Sequence, residues 1–268
     1  ESPPVALDPE LRARMGAAAV RAIRVAGYTN AGTVEFLLND EERKSFYFLE
    51  VNARVQVEHP VTEFVTGIDI VKQQILIASG EKLPFAQKDI SQRGHAIECR
   101  IYAENAEEKF LPCPGRIAFM KEPAGPGIRH DCGIYTGWEV PVHYDPILSK
   151  VITWAENREA ARIKMINALS EYTILGIETT IEFSRALLAH QSFIEGDTHT
   201  DFIEKNMSGY SPASGDPDSL RAALIAASVA TSRRAKHPAR GKTRGEQPAS
   251  PWLTLGRWEL FGGRKHGI

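Results

Sequence analysis

The chain has 268 residues, of which 43% are hydrophobic and 25% are charged, and its formal net charge is −2. This composition is typical of a globular protein with one large or two modest cores, and the charge balance gives no basis for a nucleic-acid partner. No apolar run of about 18 residues occurs, so we exclude a membrane span. The widely spaced cysteines fit neither a zinc knuckle nor a redox pair, and we expect reduced thiols in a cytoplasmic protein: Cys99, Cys113 and Cys132.

The first predicted element is a helix over residues 8–27. Asp8 is a suitable cap, Pro9 suits the first helical position, and Gly27 is a stop signal. Apolar residues recur between them at helical spacing: Leu11, Met15, Ala19 and Ile23.

A hairpin is predicted next. Two β-type runs, Thr33–Leu38 and 46–51, are joined by the polar stretch 39–44, which is typical of a hairpin with a longer loop. A second helix is predicted over residues 69–79, with Gly80 as its stop signal.

The middle of the chain separates strands from helices. Residues 94–154 have strand-like patterns interrupted by proline and glycine, and helices are predicted over 157–175 and 180–190. Because the two kinds of element are segregated rather than alternating, the predicted fold class is α+β rather than a doubly wound sheet.

The C-terminal part differs in composition. Residues 208–219 have the composition of a linker, and a helix is predicted over 216–235. The basic stretch 233–250 is predicted to be disordered.

Polar and apolar side chains alternate over residues 50–58 (EVNARVQVE). The predicted hairpin places Glu35 across from Glu50, and facing carboxylates repel by up to about 1 kcal/mol. A divalent cation would remove that penalty, and Glu35, Glu50 and Asn52 offer the hard oxygen ligands that Mg²⁺ prefers. From the spacing alone, an amphipathic surface strand is the alternative. If the stretch is extended, side chains of one face are polar, because a strand has a period of two: Glu50, Asn52, Arg54, Gln56 and Glu58.

Residues 32–36 (GTVEF) and 48–63 (FLEVNARVQVEHPVTE) closely resemble the signature of biotin carboxylases. Other ATP-grasp enzymes, such as carbamoyl-phosphate synthetases, share the Glu…Glu-x-Asn pattern but not residues 54–60 (RVQVEHP). The resemblance continues in register to about residue 205 through further segments: 66–69 (TGID), 94–101 (GHAIECRI), 112–115 (PCPG) and 144–150 (YDPILSK).

The resemblance implies a domain organisation. Residues 1–85 are expected to form the C-terminal half of an ATP-grasp domain, and residues 86–206 the biotin carboxylase C-terminal domain. Residues 207–250 are expected to be a linker, and 251–268 the start of a truncated following region. Residues 250–258 (SPWLTLGRW) are similar to the region that joins carboxylase to biotin carrier in acyl-CoA carboxylase α-chains.

The implied activity is ATP-dependent carboxylation of carrier-bound biotin with bicarbonate, through carboxyphosphate. Glu35 and Glu50 are expected to contact ATP and, with Asn52, to bind two Mg²⁺ or Mn²⁺ ions.

The implied bicarbonate site consists of Arg54, Gln56, the backbone of Val57, Glu58 and Arg100. Arg54 is expected to hold bicarbonate with its planar guanidinium. Glu58 would act as a base, and Arg100 would also bind biotin and stabilise its ureido anion. Structural roles are expected for four further residues of the matching segments: His59, Glu98, Asp145 and Lys150.

Implied partners are a biotin carboxyl carrier protein or domain, a carboxyltransferase and a second copy in a homodimer. The residues do not identify the final acyl-CoA acceptor. The chain starts without Met, and no ATP lid precedes residue 1, so we expect a fragment that is inactive alone. Two alternatives are another ATP-grasp ligase and a noncatalytic truncated module that pairs with a carboxylase partner.

Overall fold

The computed structural model describes residues 1–39, 45–212 and 217–236. The chain divides into two units, Glu1–Pro212 and Ala213–Ile268. The described elements, in chain order, are α1 (Pro9–Ala26), β1 (Thr33–Leu38), β2 (Phe46–Asn52), α2 (His59–Thr66), α3 (Ile70–Ala78), a 3₁₀ turn (Gln87–Asp89), β3 (His95–Tyr102), β4 (Glu104–Asn105), β5 (Leu111–Pro112), β6 (Gly115–Arg116), β7 (Phe119–Lys121), β8 (Ile128–Cys132), β9 (Glu139–Val140), β10 (Ile147–Ala155), α4 (Arg158–Glu171), β11 (Thr173–Leu175), α5 (Ile181–Ala189), α6 (Gln191–Glu195), α7 (Phe202–Asn206) and α8 (Pro217–Lys236).

The first helix and the hairpin form as predicted. The carboxylate of Asp8 caps α1 by accepting a hydrogen bond of 2.7 Å from the Leu11 amide, and Gly27 ends the helix in the left-handed region. Strands β1 and β2 are antiparallel, with Glu35 directly opposite Glu50. Most of the predicted connection, residues 40–44, lies outside the described residues.

The central sheet is antiparallel, with strand order β3-β10-β8. Gly94 leads into β3 with φ +68°, and a Cβ there would lie 2.3 Å from the carbonyl oxygen of Ala155. Only glycine tolerates this approach without a shift of the backbone, so Gly94 allows β3 to lie against β10 from its first residue.

Helices cover the central sheet on both faces. Ile97, Ile101 and Val151 belong to the main core, which includes Met165 and Leu169 of α4. A second cluster joins Val61 and Val65 of α2 to Ala96 and Ile152 on the opposite face. The alternation of strand side chains therefore divides each strand between two cores.

All strand pairs in the described residues are antiparallel, and β3 to β10 follow one another without an intervening α-helix. This confirms the α+β prediction. Cys99, Cys113 and Cys132 are free. Within the described ranges, no helix combines the length and apolar character needed to cross a bilayer.

The predicted helices differ from the observed ones in several places. The helix predicted over 157–175 ends at Glu171, because the β-branched run that follows pairs as β11 with β7. Helices α2, α6 and α7 were not predicted. Helix α8 agrees with the predicted helix 216–235 and overlaps the stretch predicted to be disordered, of which residues 237–250 lie outside the described residues, as do 251–268. The domain boundary after residue 85 stays a prediction.

Candidate active site

Two carboxylates of the hairpin share one amide donor. Asn52, the last residue of β2, donates from Nδ2 to Glu35 Oε1 at 2.6 Å and to Glu50 Oε1 at 3.0 Å. The amide hydrogen bonds offset the repulsion expected between the facing carboxylates. We call Glu35, Glu50 and Asn52 the hairpin group.

The chain after Asn52 does not continue as a strand, so the prediction of one polar face through Glu58 was wrong. Thr33, the first residue of β1, already pairs with Asn52, which leaves residues 53–58 without a partner strand in the described structure. These residues form a loop that turns into α2. Pro60 lies in the first turn of α2, where its missing N–H costs no hydrogen bond.

The loop returns polar side chains to the hairpin group. Gln56 Nε2 donates to Glu35 Oε1 at 2.8 Å, and Arg54 Nη2 donates to Asn52 Oδ1 at 3.4 Å. The guanidinium of Arg54 also donates to the carbonyl of Val55 at 3.2 Å and is exposed. Arg54 and Gln56 thus lie beside the hairpin carboxylates, although a loop rather than a strand places them there.

The end of the loop meets the central sheet. Glu58 occupies the N-cap position of α2, but its carboxylate makes no cap hydrogen bond. It accepts instead from Arg100 Nη2 of β3 at 2.6 Å. Lys150 of β10 donates to the carbonyl of Val57. Arg100 and Lys150 are register partners on neighbouring strands, so adjacent positions on the sheet hold adjacent residues of the loop.

A chain of ion pairs continues across the sheet. Lys150 Nζ lies 3.5 Å from Asp131 of β8, and Arg129 donates to both oxygens of Asp131 at 2.8 and 2.9 Å. Burial favours a higher pKa for Asp131, but the hydrogen bonds and charges of Arg129 and Lys150 outweigh it and lower the pKa. Arg129 also donates to Glu63 of α2 at 2.6 Å. The loop and α2 are therefore fixed to one face of the sheet at three points.

Glu98 lies beside Arg100 on the same face of β3. Its side chain is 5% exposed, and its Oε1 lies 3.8 Å from Arg100 Nε. Burial is the main reason why the pKa of Glu98 is raised to about 7, and the charge of Glu58 adds to it, while Lys150 and Arg100 oppose it.

Sequence reasoning assigned Glu98 and Lys150 only general structural roles and gave no role to Arg129 or Asp131. The alternation of β3 was a usable signal, because Glu98 and Arg100 are two residues apart and must share a face. Asp145, a further candidate for a structural role, is exposed in the structure.

Two families of known proteins match successive parts of the chain. Residues 1–86 match the ATP-binding domain of the carbamoyl-phosphate synthase L chain. That match alone leaves the kind of ATP-grasp enzyme open. Residues 98–205, which carry Arg100 and Lys150, match the biotin carboxylase C-terminal domain. The chain belongs to the biotin carboxylase family.

Relatives of this family differ in their carboxylation reactions. A pyruvate carboxylase subunit of Methanothermobacter thermautotrophicus is 52% identical over 209 residues, which are 78% of this chain and 42% of that protein. The methylcrotonoyl-CoA carboxylase α subunit of Dictyostelium discoideum is 40% identical over 265 residues, 97% of this chain and 36% of that protein. The chain thus spans less than half the length of these biotin carboxylase relatives.

A solved biotin carboxylase has a similar fold. The biotin carboxylase domain dimer of Hydrogenobacter thermophilus 2-oxoglutarate carboxylase was solved in complex with MgADP, ADP and bicarbonate. It superposes with a TM-score of 0.74 at 42% identity, covering 76% of this chain and 45% of that one.

Proposed function

We propose that this chain provides the metal, bicarbonate and biotin groups of an ATP-dependent biotin carboxylase. The observation that carries the proposal is the ion pair of 2.6 Å between Glu58 and Arg100. It places a carboxylate that can accept a proton beside a guanidinium that can stabilise a negatively charged oxygen. Both chemical tasks of biotin carboxylation, activation of bicarbonate and stabilisation of the ureido anion, need such groups.

The hairpin group fits a divalent cation bound to a nucleotide. In the described residues no three His, Cys, Asp or Glu side chains come together as a metal site. The Asn52 amide turns its nitrogen toward the two carboxylates, so binding of a cation requires a half-turn of this amide. With its oxygen so placed, Glu35, Glu50 and Asn52 would hold Mg²⁺ or Mn²⁺ together with phosphate oxygens of ATP, as Mg²⁺ sites in nucleotide enzymes commonly do. The bound ions would neutralise phosphate charge during phosphoryl transfer.

Arg54, Gln56 and the backbone of Val57 are proposed to hold bicarbonate. The guanidinium of Arg54 is exposed and can donate two parallel hydrogen bonds to a planar anion. The hydrogen bond from Lys150 to the Val57 carbonyl fixes the peptide at the end of the loop. Bicarbonate binding there needs little rearrangement of the loop, which lowers its entropic cost.

The proposed reaction divides the work between Glu58 and Arg100. Glu58 takes the proton of bicarbonate, whose oxygen attacks the γ-phosphate of ATP and gives ADP and carboxyphosphate. Carboxyphosphate breaks into CO₂ and phosphate, the phosphate takes the N1 proton of biotin, and N1 bonds to CO₂. Arg100 stabilises the ureido oxygen while it carries negative charge.

The proposed partners follow from this chemistry. A biotin carboxyl carrier protein or domain brings biotin, and a carboxyltransferase removes the carboxyl group from it. The Hydrogenobacter domain was solved as a dimer, and we propose a homodimer here as well. The match over 265 residues to a methylcrotonoyl-CoA carboxylase α subunit supports an acyl-CoA as the final acceptor.

The test is ATP-dependent transfer of labelled bicarbonate to free biotin by the complete natural polypeptide that contains this chain. We expect label in carboxybiotin that is stable in alkali and lost on acidification, and that requires both ATP and biotin. Label in carbamoyl phosphate in the presence of ammonia, without label in biotin, would contradict the proposal.

A further inference from the structure

The sheet face beneath α2 carries more acidic groups than basic ones. Side chains in register across β3, β10 and β8 form two rows on this face, namely Arg100, Lys150 and Asp131, and Glu98, Ile152 and Arg129. The loop and α2 add Glu58 and Glu63 from above. In the described residues, four carboxylates thus meet three cations: Glu58, Glu63, Glu98 and Asp131 against Arg100, Arg129 and Lys150.

Of these four carboxylates, Glu98 is the one that accepts no hydrogen bond from a guanidinium. The other three accept a guanidinium hydrogen bond at 2.6 or 2.8 Å. Glu98 has Arg100 Nε at 3.8 Å, and its Oε2 is buried without a hydrogen-bond partner. A buried carboxylate oxygen without a partner costs free energy if the group is ionised. This geometry favours the neutral carboxyl as long as Glu58 is paired with Arg100.

We propose that Glu98 is a positioning residue for Arg100, a second carboxyl that competes with Glu58 for its guanidinium. The inference rests on the proposed function, in which Arg100 serves bicarbonate and biotin. Neutral Glu98 leaves the guanidinium to Glu58 and to a bound anion. Ionised Glu98 draws the guanidinium toward the strand and cancels part of its charge.

The titration of Glu98 supports this inference. Burial raises the pKa of Glu98 to about 7, so its charge changes near neutral pH. The charged and titratable groups around it come from every packed element: Arg100 on β3, Lys150 on β10, Arg129 and Asp131 on β8, Glu58 in the loop, and His59 and Glu63 on α2. An anion bound at Arg100 raises the pKa of Glu98 further. By linkage, ionisation of Glu98 must weaken anion binding by the same factor.

The kinetic test compares Glu98→Gln with wild type in the complete natural polypeptide. Glutamine keeps the shape of neutral Glu98 and cannot ionise. We expect the wild-type KM for bicarbonate, divided by that of the variant, to rise roughly three- to tenfold between pH 6 and pH 8.5. This ratio cancels the titration of the substrates themselves. Glu139→Gln, which alters an exposed carboxyl on β9, is the matched control. A ratio that stays flat for Glu98→Gln would overturn the inference.

A second measurement does not depend on activity. The side-chain carboxyl of Glu98 is followed by ¹³C NMR against pH in the 268-residue chain and assigned with Glu98→Gln. We expect Arg100→Ala to raise the titration midpoint and Glu58→Gln to lower it, because each changes the charge competing at Glu98. Unchanged midpoints in both variants would refute the coupling. Absence of biotin carboxylation by wild type would count against the proposed function, while the NMR titration would still decide the coupling.

Discussion

The β1–β2 hairpin and the central sheet both bring carboxylates to the candidate site, but they hold them by different means. On the hairpin, amide groups of Asn52 and Gln56 donate to Glu35 and Glu50. On the sheet, guanidinium groups hold Glu58, Glu63 and Asp131. Carboxylates held by neutral donors retain their negative charge for a cation, whereas carboxylates matched by arginine suit a site that takes anions. In the proposed reaction between MgATP and bicarbonate, the hairpin would thus serve the cation and the sheet the anion.

The largest effect is expected from removing an arginine that is proposed to bind an anion. Arg54→Ala is expected to impair bicarbonate-dependent ATP cleavage, and Arg100→Ala to impair carboxybiotin formation in particular. Loss of one such charge-stabilising donor costs on the order of 10²–10³ in rate. Both rates are measured side by side in the complete polypeptide, with Arg116→Ala on β6 as a control. Near-normal carboxylation in either site variant would refute the role of that arginine.

The next largest effect is expected from removing a carboxylate that is proposed to bind Mg²⁺. Glu35→Gln and Glu50→Gln each remove one anionic ligand from the hairpin group, and a neutral amide binds Mg²⁺ less strongly than a carboxylate. We expect the Mg²⁺ concentration for half-maximal biotin-dependent ATP cleavage to rise roughly tenfold or more. An unchanged Mg²⁺ dependence in both variants would contradict the metal assignment.

A smaller effect tests the hydrogen bond by which Lys150 holds the loop of residues 53–58 on the sheet. Lys150→Met keeps the length of the side chain and removes its hydrogen bond to Val57. We expect KM for bicarbonate to rise roughly tenfold, because one hydrogen bond to a charged donor is worth about 1.5 kcal/mol and about 1.4 kcal/mol is a factor of ten. Lys164→Met is matched to it, since Lys164 donates to the Trp154 carbonyl at 2.7 Å away from the loop. Equal kinetic effects of the two variants would remove the special role of Lys150.

The smallest effect concerns stability. The pKa of Glu98 is raised by burial from 4.5 to about 7, so its favourable contribution is complete below pH 4.5 and is lost as pH rises through 7. Glu98→Gln cannot ionise, so its free energy of unfolding does not fall in this way as pH rises. We expect the variant to gain on the order of 1 kcal/mol relative to wild type between pH 5 and pH 8, after allowance for solvent screening. Urea unfolding at both pH values measures it, and a pH-independent difference would contradict the burial of an ionisable group at Glu98.

Sequence reasoning went further for the hairpin than for the sheet. The facing of Glu35 and Glu50 followed from local patterns, because a hairpin joins segments close in the chain. The turn at residues 53–58 was not predicted, because the alternation of polar and apolar residues continues in the sequence past Asn52. Strand β1 has no residue left to pair with this stretch, since its first residue, Thr33, already pairs with Asn52. The pairing of Glu58 with Arg100, 42 residues apart, depends on how α2 packs on the sheet. Such packing leaves no local signature, so the contacts of Lys150 and Arg129 needed the structure, whereas strand alternation already places Glu98 and Arg100 on one face.

The loop and the sheet form one site only if Glu58 and Arg100 act together. A double-mutant cycle on carboxybiotin formation, with Glu58→Gln, Arg100→Ala and both together, tests this most directly. Residues that act as a unit lose activity non-additively. We predict that the double variant forms carboxybiotin no more than about threefold slower than the slower single variant. Losses that multiply fully in the double variant would show that the two residues act independently and would contradict a single site.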